Sequence, residues 1–293
     1  MSPANRAANA PDKSAAMPAA KGEPTRVRTS THDAHGRRWE RLHLSSASGV
    51  NPLSGATVAA LRARLAAIDE AVAAEVGDPA GDPESGAPGA RRTSEGPSVP
   101  HALLLTAEGR CFCAGADIKE FRGFDAAAFS AYMAEVLALY AGMVELRRPI
   151  VSVVHADARG GGAALALCSD FVVAAEDARF ALPESHRGLA GGGWLMPRLM
   201  GRQRAAEMVL LGREFTAGEM AAMGLVNRVC PADDLESTLD ELCAALAAMP
   251  ASAFGVGKRS LAGGLSVGLR EAMDWHVRAQ TEAFVKARAA GLL

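Results

Sequence analysis

The stretch from Arg148 to Glu184, RPIVSVVHADARGGGAALALCSDFVVAAEDARFALPE, constrains the fold more than any other part of the chain. Pro149 and the largely β-branched run Ile150–Val154 predict a buried strand. The triplet Gly160–Gly162 then leads into a run of Ala and Leu that ends at Ser169–Asp170, and a second strand is expected at Phe171–Ala174. After a turn, the run ALPE ends on a lone carboxylate, Glu184. Strand, glycine turn, helix and strand place backbone N–H groups at a helix N-terminus, where the dipole favours developing negative charge. Glu184 follows one short helix and one strand later, so it is expected to face that point. The local pattern therefore predicts an oxyanion-binding turn served by a single acid/base.

The rest of the composition narrows the classes. With 293 residues, the chain has room for one large domain or a domain with an appendage. Its formal net charge of −2 supplies no basic field for nucleic acid or an anionic membrane surface. Apolar runs are expected to break at charge or glycine before reaching a membrane span. The five cysteines, Cys111, Cys113, Cys168, Cys230 and Cys243, are odd in number and irregular in spacing. No secretory signal is read before them, so reduced thiols and a cytoplasmic setting are expected. Cys111 and Cys113 are too close for a CxxC pattern and are expected on a buried turn. The histidines show no HExxH spacing, so no metal site is expected. The glycine triplet lacks the GxGxxG spacing and the later acidic residue of a dinucleotide turn.

Along the chain, residues 1–24 are rich in Ala and Pro without periodicity and predict a disordered tail. Thr25–Leu44 alternates and turns at Asp33–Gly36, predicting an antiparallel hairpin. A helix follows, with Val58, Leu61, Leu65 and Ile68 on one face. Residues 77–99 are dominated by Gly, Pro, Ser, Asp and Arg and predict a surface insertion. The apolar strand Ala102–Thr106 leads into EGRCFCAGADIKEF, where Ala114, Gly115 and Ala116 permit close backbone approach and Asp117 is expected to cap the next helix. That helix is expected over Phe129–Leu146. Further helices are expected at Ala205–Leu211, Ala217–Met223 and Ser266–Arg288, with a short strand in GLVNRVCP. The order predicts an α/β core over residues 25–230 and a helical region over 231–293.

Four segments taken together, NPLS at Asn51, FCAGADIKEF at Phe112, the Arg148–Glu184 stretch and GREFTAGEMAAMGLVNRV at Gly212, resemble the crotonase (enoyl-CoA hydratase/isomerase) superfamily. The resemblance implies a core of repeated ββα units with C-terminal helices that support a homotrimer or a dimer of trimers. It implies an acyl-CoA substrate, with coenzyme A as part of that substrate and no separate cofactor. It also implies that the backbone N–H groups of Ala116 and Gly161 bind the thioester carbonyl, with Glu184 as the catalytic carboxylate. Ala114, Asp117, Ile118 and Lys258 match positions that contact the substrate or its CoA.

Hydratases of this family use two glutamates, and the first of those positions is Ala164 here. Hydration holds a water between two carboxylates, whereas moving a proton across an enolate needs one base. The pattern therefore favours a 3-enoyl to 2-enoyl isomerase. Hydratase/dehydratase activity with a substitute second group is the runner-up, and decarboxylation or thioester hydrolysis lies further off. An acyl-CoA binding protein without turnover is the alternative from another class. The loop after Glu184, GLAGGGWLMPRL, is shorter than in relatives, and His155, Asp157 and Arg159 stand where relatives are less polar. His155 and His186 are candidate auxiliary acids or carboxylate binders, and Asp157 and Arg159 are expected to pair locally, with substrate binding as the alternative.

Overall fold

A computed structural model describes residues 25–76, 99–264, 267–289 and 291. The expected tail at 1–24 and nearly all of the insertion at 77–99 lie outside the described residues. The chain opens with the hairpin of β1 (Arg26–Ala34) and β2 (Arg37–Ser45), turning at His35 and Gly36, both at positive φ. Helix α1 (Gly55–Val76) buries Val58, Leu61, Leu65, Ile68 and Val72, the face set by the 3/4 spacing. Each such side chain contributes roughly 1.5–3 kcal/mol relative to exposure.

Strand–strand–helix units follow. Strands β3 (Ala102–Ala107) and β4 (Cys111–Cys113) precede α2 (Ala126–Glu145); β5 (Ile150–Val154) and β6 (Asp157–Arg159) precede α3 (Gly161–Leu167). Strands β7 (Phe171–Ala175) and β8 (Arg179–Ala181) precede α4 (Met196–Leu210), which bends at Gly201. Then come β9 (Phe215–Thr216), α5 (Ala217–Ala222) and β10 (Arg228–Cys230). The first strand of each unit enters a six-stranded sheet of order β1-β2-β3-β5-β7-β10, parallel from β2 onward. The second enters a four-stranded sheet of order β4-β6-β8-β9. The ββα repeat thus produces two sheets, and the segments that follow β4, β6 and β8 leave the second sheet from neighbouring strands.

Several local expectations are corrected. Cys111–Cys113 forms strand β4, not a turn, with Cys113 buried and Cys111 at the edge. Asp157–Arg159 is also a strand, too short to show alternation in sequence. Asp117 does not cap α2: its Oδ1 accepts from the Lys119 N–H at 3.0 Å, and Asp125 caps α2 by accepting from Ala128 N–H at 2.8 Å. Helix α2, with a mean hydropathy of 1.5, has the length and apolarity of a membrane span, contrary to the expectation that apolar runs break short of that length. Here it turns Tyr132, Val136, Leu139, Tyr140 and Met143 into the core.

The chain ends in α6 (Leu235–Ala247), α7 (Ala251–Gly264) and α8 (Leu269–Ala289). Helix α6 buries Leu235, Leu239, Cys243 and Leu246. Helix α7 is pinned through Lys258, whose Nζ donates to Asp170 Oδ2 at 2.6 Å and to the Met143 and Arg148 carbonyls.

Candidate active site

The Ala114–Asp117 turn, which follows β4, is held open-sided by Leu53. The Leu53 N–H donates to Gly115 O at 2.8 Å and the Leu53 carbonyl accepts from Asp117 N–H at 3.2 Å. In such a parallel bridge the intervening residue, Ala116, points its own N–H away from Leu53. Gly115 sits at φ +86°, and a Cβ there would lie 2.7 Å from Arg159 O and 2.9 Å from Gly161 N. Glycine is therefore required both by the left-handed backbone and by contact with the next turn.

That next turn opens α3. Gly160, at φ +53°, donates its N–H to Ala181 O at 2.8 Å, and Gly161 begins the helix, so its N–H has no acceptor four residues back. A Cβ on Gly161 would lie 3.7 Å from Ala116 N and 3.0 Å from the Tyr140 hydroxyl. The Ala116 and Gly161 backbones thus flank one spot. Gly162 packs directly on the Cys113 carbonyl, which leaves no space for a side chain.

Glu184 comes from the short 3-10 helix Pro183–Arg187 that follows β8. Its carboxylate lies against Gly160 and Gly191, and among the described residues Oε2 is buried with no hydrogen-bond partner. Burial raises its pKa above the ordinary 4.5; its own backbone N–H and the Arg187 charge oppose this less strongly. A half-buried carboxylate with one buried, unpartnered oxygen and a raised pKa has the properties of a general base.

These groups face a cavity of about 180 Å³. Ala116, Gly161 and Glu184 form its polar end, and Phe121, Phe129, Met133, Val136 and Leu137 line its apolar end. Ala164 lies on the wall one helical turn after Gly160. Glu184 is the sole carboxyl among the lining residues. The arrangement suits a ligand with an apolar chain and a polarisable oxygen beside an acidic C–H.

Ala116, Gly161 and Glu184, expected together from the sequence, meet in this cavity. Ala114, Asp117 and Ile118 stay on the adjoining turn outside its lining, with Ile118 48% exposed. Lys258 is corrected: buried and bonded to Asp170 and two carbonyls, it has no donor left for a CoA phosphate. His155 donates to Gly109 O and His186 to Leu211 O, and neither lines the cavity. Arg159 pairs with Asp157 at 2.7 Å, as expected, and with Glu214. Tyr132, Tyr140, Gly191 and Trp194 also line the cavity and were not singled out from the sequence. The two tyrosines were legible in principle as i and i+8 on an amphipathic helix. No group of three or more potential metal ligands occurs among the described residues.

A family model described as enoyl-CoA hydratase/isomerase matches residues 93–292. The chain is 33% identical over 186 residues to the probable enoyl-CoA hydratase echA8 of Mycobacterium tuberculosis, covering 62% of this chain and 72% of that protein. It is 32% identical over 248 residues to the mitochondrial methylglutaconyl-CoA hydratase 1 of Pyricularia oryzae, covering 80% and 70%. Among solved structures, the enoyl-CoA hydratase from Bacillus anthracis superposes with a TM-score of 0.73 at 27% identity, covering 90% of this chain and 94% of that one. With the ββα repeat, the paired turns and the carboxylate in place, the chain belongs to the enoyl-CoA hydratase/isomerase family.

Proposed function

We propose that the protein shifts a double bond in an acyl-CoA thioester, converting a 3-enoyl to a 2-enoyl compound with Glu184 as its one acid/base. The observation that carries this is the lining of the cavity: Glu184 is its sole carboxyl, and Ala164, which matches the first glutamate of the hydratases the chain resembles, lies on its wall. In the proposed step the Ala116 and Gly161 N–H groups bind the thioester oxygen. Glu184 takes a proton from C2, and the electron pair spreads through the dienolate onto that oxygen. The same carboxyl then returns the proton to C4, and the double bond comes to rest between C2 and C3. Charge on the oxygen is the main barrier, and each preorganised donor is worth roughly 3–4 kcal/mol. The apolar end of the cavity accepts the acyl chain and excludes water from the carboxylate.

The test mixes purified protein with 3-enoyl-CoA and follows conjugated thioester absorbance and product mass. Conversion that disappears in Glu184→Gln supports the isomerase; binding of both 3-enoyl- and 2-enoyl-CoA without turnover of either rejects it in favour of an acyl-CoA binding protein. Hydration of 2-enoyl-CoA is the second reading, favoured by the relatives named as hydratases. It requires a water activated without a second carboxylate on the wall.

Self-association through the C-terminal helices belongs to the same proposal. Leu269, Met273, Val277 and Phe284 recur on one side of α8 and are 53–74% exposed. A helix stripe of this size is suited to burial against another copy, and light scattering would show a multiple of the 30.3 kDa chain. A cytoplasmic setting with reduced thiols is proposed with it; among the described residues all five cysteines are free.

A further inference from the structure

The chain contains two tyrosines, Tyr132 and Tyr140, and both lie on α2. Eight residues apart with Val136 between them, they share one helix face at a separation of about 12 Å along the axis. Both are almost fully buried, at 1% and 3% exposure. The Tyr132 hydroxyl donates to Leu53 O at 2.7 Å, and the Tyr140 hydroxyl donates to Gly161 O at 2.7 Å. Leu53 is the residue whose N–H and carbonyl bracket Ala116, and Gly161 is the other residue facing the polar end of the cavity. Each hydroxyl therefore ties down the backbone of one arm of the site.

From this juxtaposition we propose that Tyr132 and Tyr140 are positioning residues, and that α2 is the spacer fixing the separation and aim of the Ala116 and Gly161 N–H groups. The assignment rests on those two N–H groups being the oxyanion donors of the proposed reaction. The need for a spacer is physical. The donors come from separate turns, each containing a glycine at positive φ, Gly115 and Gly160. Such turns have soft alternatives, whereas an oxyanion donor must lie within a few tenths of an ångström of its place. A helix closed by its own hydrogen bonds is stiff over two turns, and a phenol hydroxyl at each end transfers that stiffness to both arms. Burial raises the pKa of both phenols, so they stay protonated donors at neutral pH. Trp194 stacks on Tyr140 with centroids 5.8 Å apart and planes at 20°, covering the ring from the loop that follows Glu184.

The probe is cinnamoyl-CoA, a conjugated 2-enoyl thioester whose absorbance moves to the red when its carbonyl is polarised. Wild-type protein is expected to shift it, and Glu184→Gln is expected to keep the shift while losing turnover of 3-enoyl-CoA. Tyr132→Phe and Tyr140→Phe keep the rings and remove the hydroxyls. Each is expected to lose half or more of the red shift and to lower kcat roughly tenfold to a hundredfold, with KM within about twofold. Folded Phe variants with the full red shift and unchanged kcat overturn the positioning role and leave the donor pair standing, even if their thermal stability falls. No shift with the wild type removes the donor pair itself and the positioning role with it. For a Phe variant that loses its fold, wild-type chain grown on 3-fluorotyrosine takes its place, because only these two side chains are replaced. The fluorinated hydroxyl is the stronger donor at nearly the same shape: an enlarged red shift supports the proposal, and an unchanged one overturns it.

Discussion

A Cβ placed on Gly160 would lie 2.9 Å from Oε1 of Glu184, so the turn that opens α3 and the carboxylate are in direct contact. Gly191 closes the other side, where a Cβ would sit on the carboxyl itself. Two glycines from different loops therefore define where the Glu184 carboxyl can rest. Gly191→Ala displaces it without demanding a left-handed backbone, because Gly191 has no positive φ. The expected result is a kcat lower by roughly tenfold to a hundredfold, with little change in the urea midpoint. Gly160→Ala adds backbone strain of roughly 1–3 kcal/mol to the same displacement. Steady-state kinetics beside urea unfolding separates the two, and a Gly191→Ala protein with wild-type kcat would show that this contact does not aim the base.

The raised pKa of Glu184 has one sign for activity and another for stability. In the proposed reaction Glu184 acts as the base and must be ionised, so kcat/KM is expected to rise with pH through a value above the ordinary 4.5. Between the ordinary value and the raised one, the folded chain holds a proton that the unfolded chain has released. Stability therefore falls as pH rises through that window and stays at the lower level above it. Glu184→Gln carries no such charge. Its stability at neutral pH should equal or exceed that of the wild type while turnover is lost, and paired urea curves at neutral and acid pH measure the difference. A Glu184→Gln protein clearly less stable than wild type at neutral pH would contradict the desolvation account.

Much of this site was legible before any coordinates. The Gly160–Gly162 turn and Glu184 announce themselves through residue type and order, whereas Ala116 and Gly161 as a donor pair are read only through the resemblance to the family. The units β3–β4, β5–β6 and β7–β8 were only half visible. Their first strands are continuous apolar runs such as Ala102–Thr106, whereas β6 and β8 have three residues each and show no period. Gly191 was hidden for another reason: its role is contact with a residue seven positions earlier across a loop, and no local pattern encodes that. Lys258 was assigned by its match to a CoA-contacting lysine of the family, and the buried acceptor cluster that takes it instead comes from neighbours of β5, β7 and α2 far away in sequence.

That cluster sets the consequence of removing the lysine. Lys258 is 6% exposed, and burial pushes its pKa down and that of Asp170 up, each partner opposing the other's shift. Lys258→Ala would leave Asp170 without its counter-charge and strand the Met143 and Arg148 carbonyls. Breaking a buried pair from one side costs roughly 3–5 kcal/mol. The urea midpoint should fall accordingly, while KM for an acyl-CoA, measured where the variant is still folded, should stay close to wild type. A raised KM with unchanged stability would instead return Lys258 to the substrate.

Ala164 offers the converse experiment, in which a function is added. It lies on the cavity wall, is 4% exposed, and donates its N–H to Gly160 O at 3.2 Å, so its side-chain position is fixed relative to the Glu184 contact. Ala164→Glu would place a second carboxylate on the wall that already carries Glu184. Two carboxyls sharing a small cavity do not both ionise readily, so one is driven to hold its proton at a pH where the other is charged. That is the division of labour hydration needs: one group activates water while the other supplies a proton to C2. The variant is expected to hydrate 2-enoyl-CoA at least roughly tenfold above the wild type, seen as loss of conjugated absorbance with a gain of one water in mass. Isomerisation of 3-enoyl-CoA should fall at the same time, because a water between the carboxyls competes for the proton on Glu184. A folded Ala164→Glu protein that isomerises normally and hydrates no better than wild type would show that the missing carboxylate is not what separates the two reactions in this cavity.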